Sequence, residues 1–191
     1  MLNILGRSPD HGFDEPIGLL TDCHRRIEMF LDVLIRVANE HADHPLEPGG
    51  QAAQALTKAK EYFLHAAPRH TADEEESLFP RMKAAAAKKD ARGAGDEGHA
   101  VIERLHDDHG RADAMHARVD VLLGAWLRDA SLPAGQAAEL CDLLGLLREL
   151  YRGHIAVEEQ EVFPLAARML SPADLSAVGE EMRARRGVGK G

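Results

Sequence analysis

Two stretches of this 191-residue chain follow one pattern. Each has a histidine, three residues, two glutamates, two residues, an aliphatic residue and then Phe-Pro; the stretches are residues 70–80 and 154–164. His24 precedes the first stretch by 46 residues, and His109 precedes the second by 45. Because the two spacings agree, the sequence predicts a duplicated two-helix hairpin. An extended helical repeat would need more copies of the unit.

Apolar residues at helical spacing predict four long amphipathic helices, and breaks rich in Gly and Pro separate them. Pro80 is expected to kink or interrupt the second helix, because proline supplies no N–H. Ser171 before Pro172 predicts the start of a short fifth helix. The predicted helices cover about residues 17–38, 51–89, 97–129, 134–165 and 173–184.

The predicted fold is therefore all-α, an up-down-up-down four-helix bundle over residues 15–168. Residues 1–14 would form an N-terminal extension, and residues 169–191 a short helix and a disordered basic tail that contains Arg183, Arg185 and Arg186. Few aromatics (4%) and many charged residues (29%) suit helices that pack through aliphatic faces.

A formal net charge of −9 argues against nucleic acid or an anionic membrane surface as a partner. The two cysteines, Cys23 and Cys141, indicate no disulfide framework and are interpreted as buried thiols within helices. The start of the chain lacks the features of a signal peptide, and no stretch approaches a membrane-spanning length. A cytoplasmic location is predicted.

Residues at i and i+4 lie on one face of a helix, so His70 can point with Glu74, and His154 with Glu158. Counted from the turns, the four histidines of the two halves fall at similar heights in an antiparallel bundle. Burying four imidazoles and two carboxylates is costly unless something satisfies them. A pair of metal ions would do so, with both glutamates bridging and an oxo, hydroxo or water species between the ions. A solvated ion pair is the alternative for one such motif alone.

A mixed set of imidazoles and carboxylates with an open position suits iron or manganese better than a closed structural zinc site. The chain also resembles the hemerythrin-like, or HHE cation-binding, family over about residues 17–168. The resemblance rests on His24, on His70 with Glu74, on His109, and on His154 with Glu158. It implies that these six residues ligate a non-haem di-iron site (Fe²⁺/Fe³⁺, oxo- or hydroxo-bridged), with manganese or zinc as alternative metals.

Two positions depart from the oxygen-carrying members of that family. Those members have a second histidine one turn after the third-helix ligand, where this chain has Asp113. Their fourth helix pairs its histidine with an aspartate five residues on, where this chain has Glu158 at four. The resemblance is thus nearer to the branch that answers nitrosative or oxidative stress and repairs iron–sulfur clusters. The cysteine-bearing N-terminal segment of the repair proteins is missing.

Several other side chains are candidates for the neighbourhood of the site. Glu28 and Asp113, at i+4 from ligand histidines, are predicted to accept hydrogen bonds from imidazoles rather than bind metal. Glu75 and Glu159 lie about 100° from the ligand face and are predicted to be surface charges. Packing roles are predicted for His116, Tyr62, Tyr151, Phe79 and Phe163; His65 and His106 could lie near the metals, and a contact of Cys23 with them is not expected.

Three functions follow from these features. The first is a di-iron protein that binds oxygen or nitric oxide as a sensor, a store or a part of a stress response. The second is an enzyme that consumes peroxide or nitric oxide, or supports cluster repair, with a redox partner that the sequence does not identify. The third is a helical interaction module without a redox role. One fold and one ligand set serve several chemistries, so all three stay open.

Overall fold

The computed structural model describes residues 9–41, 44–90 and 97–189, and every regular element in these ranges is helical. Two π turns interrupt the α-helical geometry: one has six residues, Asp73–Leu78, and the other has five, Glu158–Val162. The α-helices are α1 (Pro16–His41), α2 (Gln51–His65), α3 (Ala67–Ala72), α4 (Phe79–Asp90), α5 (Glu97–Asp129), α6 (Ala134–Val157), α7 (Phe163–Met169) and α8 (Pro172–Arg185). The prediction of an all-helical chain is confirmed for these residues.

The interruption predicted at Pro80 takes the form of a π turn just before it, and the chain stays helical. The N–H of Phe79 bonds to the carbonyl of Glu74, five residues back. The second repeat does the same, because the N–H of Phe163 bonds to the carbonyl of Glu158. A π turn holds one residue more than an α turn, and such insertions are frequent at functional sites.

The described residues divide into two compact units, and the first contains residues 9–25, 68–90, 97–109 and 154–189. This unit includes both π turns and all six predicted ligands. Its apolar core draws on both repeats and on α8, and the aliphatic-Phe pairs of the two repeats are fully buried in it. The core residues are Leu19, Leu20, Leu78, Phe79, Met82, Ile102, Leu105, Val162, Phe163, Ala166, Leu170, Val178 and Met182.

The second unit contains residues 26–41, 44–67 and 110–153. Leucine is the most frequent of its buried residues, which come mainly from α1, α2, α5 and α6. The backbone N–H of Leu46, in the segment after α1, donates to the carbonyl of Ala130, 2.7 Å away. The largest fully buried side chains of this unit are Trp126, Ile27, Leu31, Leu34, Leu56, Leu122, Leu123 and Leu140.

Helix α8 is part of the first unit, and it begins at the N-cap that the sequence predicted. The hydroxyl of Ser171 accepts from the N–H of Asp174, and the Asp174 carboxylate accepts from the N–H of Ser171. The N-terminal segment contacts α8 so closely that a Cβ on Gly179 would lie 1.8 Å from the carbonyl oxygen of Phe13. Only glycine fits there.

The prediction of a disordered basic tail is wrong for its three arginines. Arg183 and Arg185 lie in α8, and Arg186 follows directly. The guanidinium of Arg183 lies over the ring of Phe13, with 4.8 Å to the ring centroid. Arg185 and Arg186 both bind the buried carboxylate of Asp73. Within the described residues, no helix is long and apolar enough to cross a membrane.

Candidate metal centre

The structure brings the six predicted ligands together from both repeats. The four histidines lie on four different helices, and each glutamate lies in a π turn close after its histidine. All six residues are at most 6% exposed, and Glu74, Glu158 and His24 are fully buried. The elements are α1 for His24, α3 for His70, the first π turn for Glu74, α5 for His109, α6 for His154 and the second π turn for Glu158.

The donor atoms form two overlapping sets of four. One set contains His24 and His70, the other His109 and His154, and both contain Glu74 and Glu158. Within each set the donor atoms lie within 4.8 Å of one another. Each set therefore offers two imidazole nitrogens and two carboxylate oxygens, and the two sets share both glutamates.

The Nε2 atoms of the histidines point at the shared carboxylates. The Nε2 of His70 lies 3.3 Å from Oε1 of Glu74, and the Nε2 of His109 lies 3.4 Å from Oε2 of Glu74. The Oε2 of Glu158 lies 3.2 Å from the Nε2 of His154 and 3.0 Å from the Nε2 of His24. Each carboxylate thus meets one histidine of its own helix and one of the other repeat.

These atoms fit a metal pair better than they fit one another. Both oxygens of Glu74, both oxygens of Glu158 and the Nε2 atoms of His24 and His109 are buried without a hydrogen-bond partner. Unsatisfied buried polar atoms are rare and costly in folded proteins. Cations between the carboxylates would satisfy all six atoms at once. Imidazole with carboxylate is a donor set typical of iron, manganese and zinc.

Without metal, protons balance the two buried carboxylates. Burial lowers the pKa of His24, but Glu158, Glu159 and Glu74 more than reverse this and raise it well above its usual range. Burial likewise opposes protonation of His109, yet Glu74 and Glu75 raise its pKa to about 9. Burial lowers the pKa of His70 to about 4. Cations in the site would replace the protons on His24 and His109.

The same contacts act on the carboxylates in the opposite direction. Burial raises the pKa of Glu74, but His70, His109 and His24 hold it far below its usual range. Burial and the neighbouring Glu74 raise the pKa of Glu158, while His154 and His24 lower it by more. Both carboxylates are therefore ionised and ready to bind cations.

The outer nitrogens of two histidines bind carboxylates that the sequence analysis assigned to the surface. The Nδ1 of His24 lies 3.0 Å from Glu159, and the Nδ1 of His109 lies 2.8 Å from Glu75. The prediction of simple surface charges is therefore wrong for both glutamates. A helical wheel placed them 100° from the ligand face, but from that position their side chains reach the histidine of the neighbouring helix.

The residues that were predicted to take this role do not do so. Glu28 and Asp113 are exposed, although each follows a histidine by four residues. Both lie in continuous α-helix, whereas Glu74 and Glu158 lie in π turns at the same spacing. The extra residue in a π turn changes the direction of the side chains around it. The motif copies alone gave no signal for this difference.

The predicted packing roles agree with the contacts. Phe163 stacks on the ring of His24 with 5.4 Å between centroids. His116 bonds through Nε2 to the hydroxyl of Tyr151 at 2.9 Å, in the second unit. Burial lowers the pKa of His116 to about 4. Tyr62 stacks on Phe30 at 4.2 Å.

The remaining candidates of the sequence analysis fall at the surface or away from the donor sets. His65 is exposed, and His106 is an exposed residue that binds Glu75. Cys23 and Cys141, predicted to be buried, are only partly buried, and they belong to neither donor set.

Asp73 is a residue of the site region that sequence reasoning missed. It is fully buried next to Glu74, and Arg186 binds it at 2.6 Å while Arg185 binds its other oxygen. The corresponding residue of the second repeat is Val157, so the repeat comparison showed only that the position differs. Arg185 and Arg186 thereby clamp the first π turn to the end of α8.

Comparison with known proteins agrees with this geometry. The Hemerythrin HHE cation binding domain matches residues 15–166, which include both donor sets. An uncharacterized protein of Haemophilus influenzae is 27% identical over 179 residues, which cover 92% of this chain and 92% of that protein. The duplicated motif, the two buried donor sets and the extent of the match lead to one conclusion: the chain belongs to the hemerythrin HHE cation-binding family.

Proposed function

We propose that this protein binds two iron ions at the six buried residues and uses them to bind a small diatomic ligand, oxygen or nitric oxide. The supporting observation is the pair of overlapping donor sets, which share Glu74 and Glu158 and leave both oxygens of each glutamate buried without a hydrogen-bond partner. We also propose that residues 15–168 form an up-down-up-down four-helix bundle around this centre. Sensing, storage or a stress response is the proposed role.

The chain's own residues would prepare the site for this role. His24 and His70 would hold one cation and His109 and His154 the other, while the glutamates bridge them. Iron held in this way supplies a redox-active centre with positions open to an exogenous ligand. All six side chains are at most 6% exposed, so the site is shielded from bulk water. A small uncharged ligand suits such an apolar enclosure.

An enzyme that consumes peroxide or nitric oxide is the second candidate. Each donor set has four protein donors, so each cation would keep free positions. Turnover of a small oxidant needs such positions as much as reversible binding does. The exposed Asp113 supplies no fifth donor where oxygen carriers have a histidine.

Metal analysis tests the proposal directly. We expect two iron ions per chain in protein purified from iron-supplemented cells, and a large loss of iron in Glu74→Ala and in Glu158→Ala. Glu161→Ala is the matched control, because Glu161 lies in the same π turn as Glu158 but is exposed. Equal losses in all three variants would contradict the site, and a wild-type chain without metal would favour the interaction module.

Optical spectra separate binding from turnover. We expect the di-iron protein to form a stable adduct with oxygen or nitric oxide that is reversed when the gas is removed. Rapid consumption of peroxide or nitric oxide, without a stable adduct, would favour the enzyme. Glu74→Ala should abolish either response if the centre is responsible.

A further inference from the structure

The two donor sets differ in what surrounds them. In each set, one histidine binds an outer carboxylate from the other repeat: His24 binds Glu159, and His109 binds Glu75. Such a carboxylate orients the imidazole and makes its inner nitrogen a stronger donor. The two arrangements correspond through the duplication, so they would act equally if the carboxylates were equally charged.

The two carboxylates have different second partners. Arg25 binds Glu159 with both terminal nitrogens, at 2.9 Å and 3.3 Å. His106 binds Glu75 through Nδ1 at 2.8 Å, on the same oxygen that receives His109. A guanidinium is always charged, whereas an imidazole is charged only when protonated. The residue that corresponds to Arg25 in the second repeat is Gly110, so no arginine can occupy that position.

A further carboxylate lies beside the second set. Near the first set, Arg186 interacts with the thiol of Cys23, but the buried carboxylate of Asp73 balances its charge. On the other side, the carboxylate of Asp108 lies 3.9 Å from the Nδ1 of His154. The Nδ1 atoms of His70 and His154 are both buried without a hydrogen-bond partner, so Asp108 acts on His154 through its charge alone. The second set therefore has two carboxylates near its outer imidazole nitrogens, Glu75 and Asp108, whereas Glu159 beside the first set is paired with Arg25.

We propose that the two metal positions are unequal, and that the position at His109 and His154 takes up the first cation and holds it more tightly. Glu75 strengthens the donor His109, whereas Arg25 offsets the charge of Glu159 and weakens its effect on His24. Both are positioning residues, since they act through the histidines. This inference rests on the proposed function, because it needs two cations in the centre.

Stepwise loading with ⁵⁷Fe²⁺ tests the proposal without any activity assay. Metal-free full-length protein is titrated without oxygen, and Mössbauer spectra are recorded at one and at two equivalents, with the affinity of each step from calorimetry. For wild-type protein we expect one quadrupole doublet at the first equivalent and a second, different doublet afterwards. Glu75→Gln should weaken the first step by roughly 10- to 100-fold, the usual effect of losing an outer carboxylate at a metal site.

Three further variants complete the test. Glu159→Gln should leave the first step unchanged and weaken only the second. Arg25→Gln should strengthen the second step by up to about fivefold, the size expected for one exposed charge. A gain in affinity cannot result from poor folding. Glu161→Gln is the control, because Glu161 lies in the same π turn as Glu159 but is exposed. It should change neither step.

Several results would overturn the inference. They are two equal steps, a single concerted step, equal effects of Glu75→Gln and Glu159→Gln on the same step, or a weaker second step in Arg25→Gln. If wild-type protein binds two irons but shows one of these results, only this inference fails. If wild-type protein binds no iron, the proposed function fails with it.

Discussion

The contact between Asp73 and α8 predicts a large loss of stability when the carboxylate is removed. Asp73 is fully buried and binds two guanidinium groups. The side chains of these partners, Arg185 and Arg186, are only 20% and 19% exposed. Asp73→Asn keeps the shape but leaves both cations without their shared partner. Removing one partner of a buried ion pair costs about 3–5 kcal/mol. We expect Asp73→Asn to destabilise the protein by that amount.

Urea unfolding of the metal-free protein, followed by circular dichroism at 222 nm, measures this loss. With a slope of roughly 2 kcal/mol per molar urea, the midpoint should fall by about 1.5–2.5 M. Glu76→Gln is the matched control, because Glu76 binds the same Arg185 but is 68% exposed. An exposed pair contributes about 0–1 kcal/mol. Equal midpoints for Asp73→Asn and Glu76→Gln would refute the role of the clamp.

Three further predictions concern other parts of the molecule. His116 has a pKa of about 4 when folded and 6.5 as an unperturbed group, so the unfolded chain binds the proton first as pH falls. As pH falls from 6.5 to 4, the wild-type protein should therefore lose up to about 3 kcal/mol of stability relative to His116→Gln. Urea unfolding across that range measures this loss, and a difference between the two proteins that stays constant with pH would contradict the prediction. Gly179→Ala should lower the free energy of unfolding by about 1–3 kcal/mol or more, because a Cβ would meet the Phe13 carbonyl at 1.8 Å. Gly145→Ala, with open space around its Cβ, should raise it by up to about 1 kcal/mol. Thermal unfolding compares the two variants, and equal shifts in Tm would refute the contact. Iron at 100 times its Kd should stabilise the wild-type protein by about 2.7 kcal/mol, and a chelator should reverse the rise in Tm; no shift would argue against binding to the folded state.

The sequence was sufficient for the helices and for the gathering of the six polar residues. Helical periodicity is local, so the span of α5 was predicted from Gly and Pro breaks at both of its ends. The duplication then supplied long-range information, because two copies of one motif imply equivalent places in the fold. For this reason His24 and His109, which have no glutamate motif of their own, could be grouped with the other four residues. The buried donor sets agree with that grouping.

The surroundings of those six residues depended on neighbours that no repeat or periodicity specifies. A helical wheel gives the direction of Glu75 from its own axis, but it does not show that His109 of another helix lies within reach. It also predicted inward positions for Glu28 and Asp113, which are exposed.

The basic end of the chain was predicted to be disordered from its composition. Asp73, a buried anion far away in the sequence, holds it instead.

Local pattern and gene duplication thus determined which side chains are proposed as metal ligands, because both are written in the spacing of the residues. Only the packing of helices decided which groups hydrogen-bond those side chains, where the charges of Arg25 and Arg186 fall, and how α8 is held. Hydrogen bonds and ion pairs act over a few ångströms, and the residues that come within that distance of one another are set by the tertiary fold.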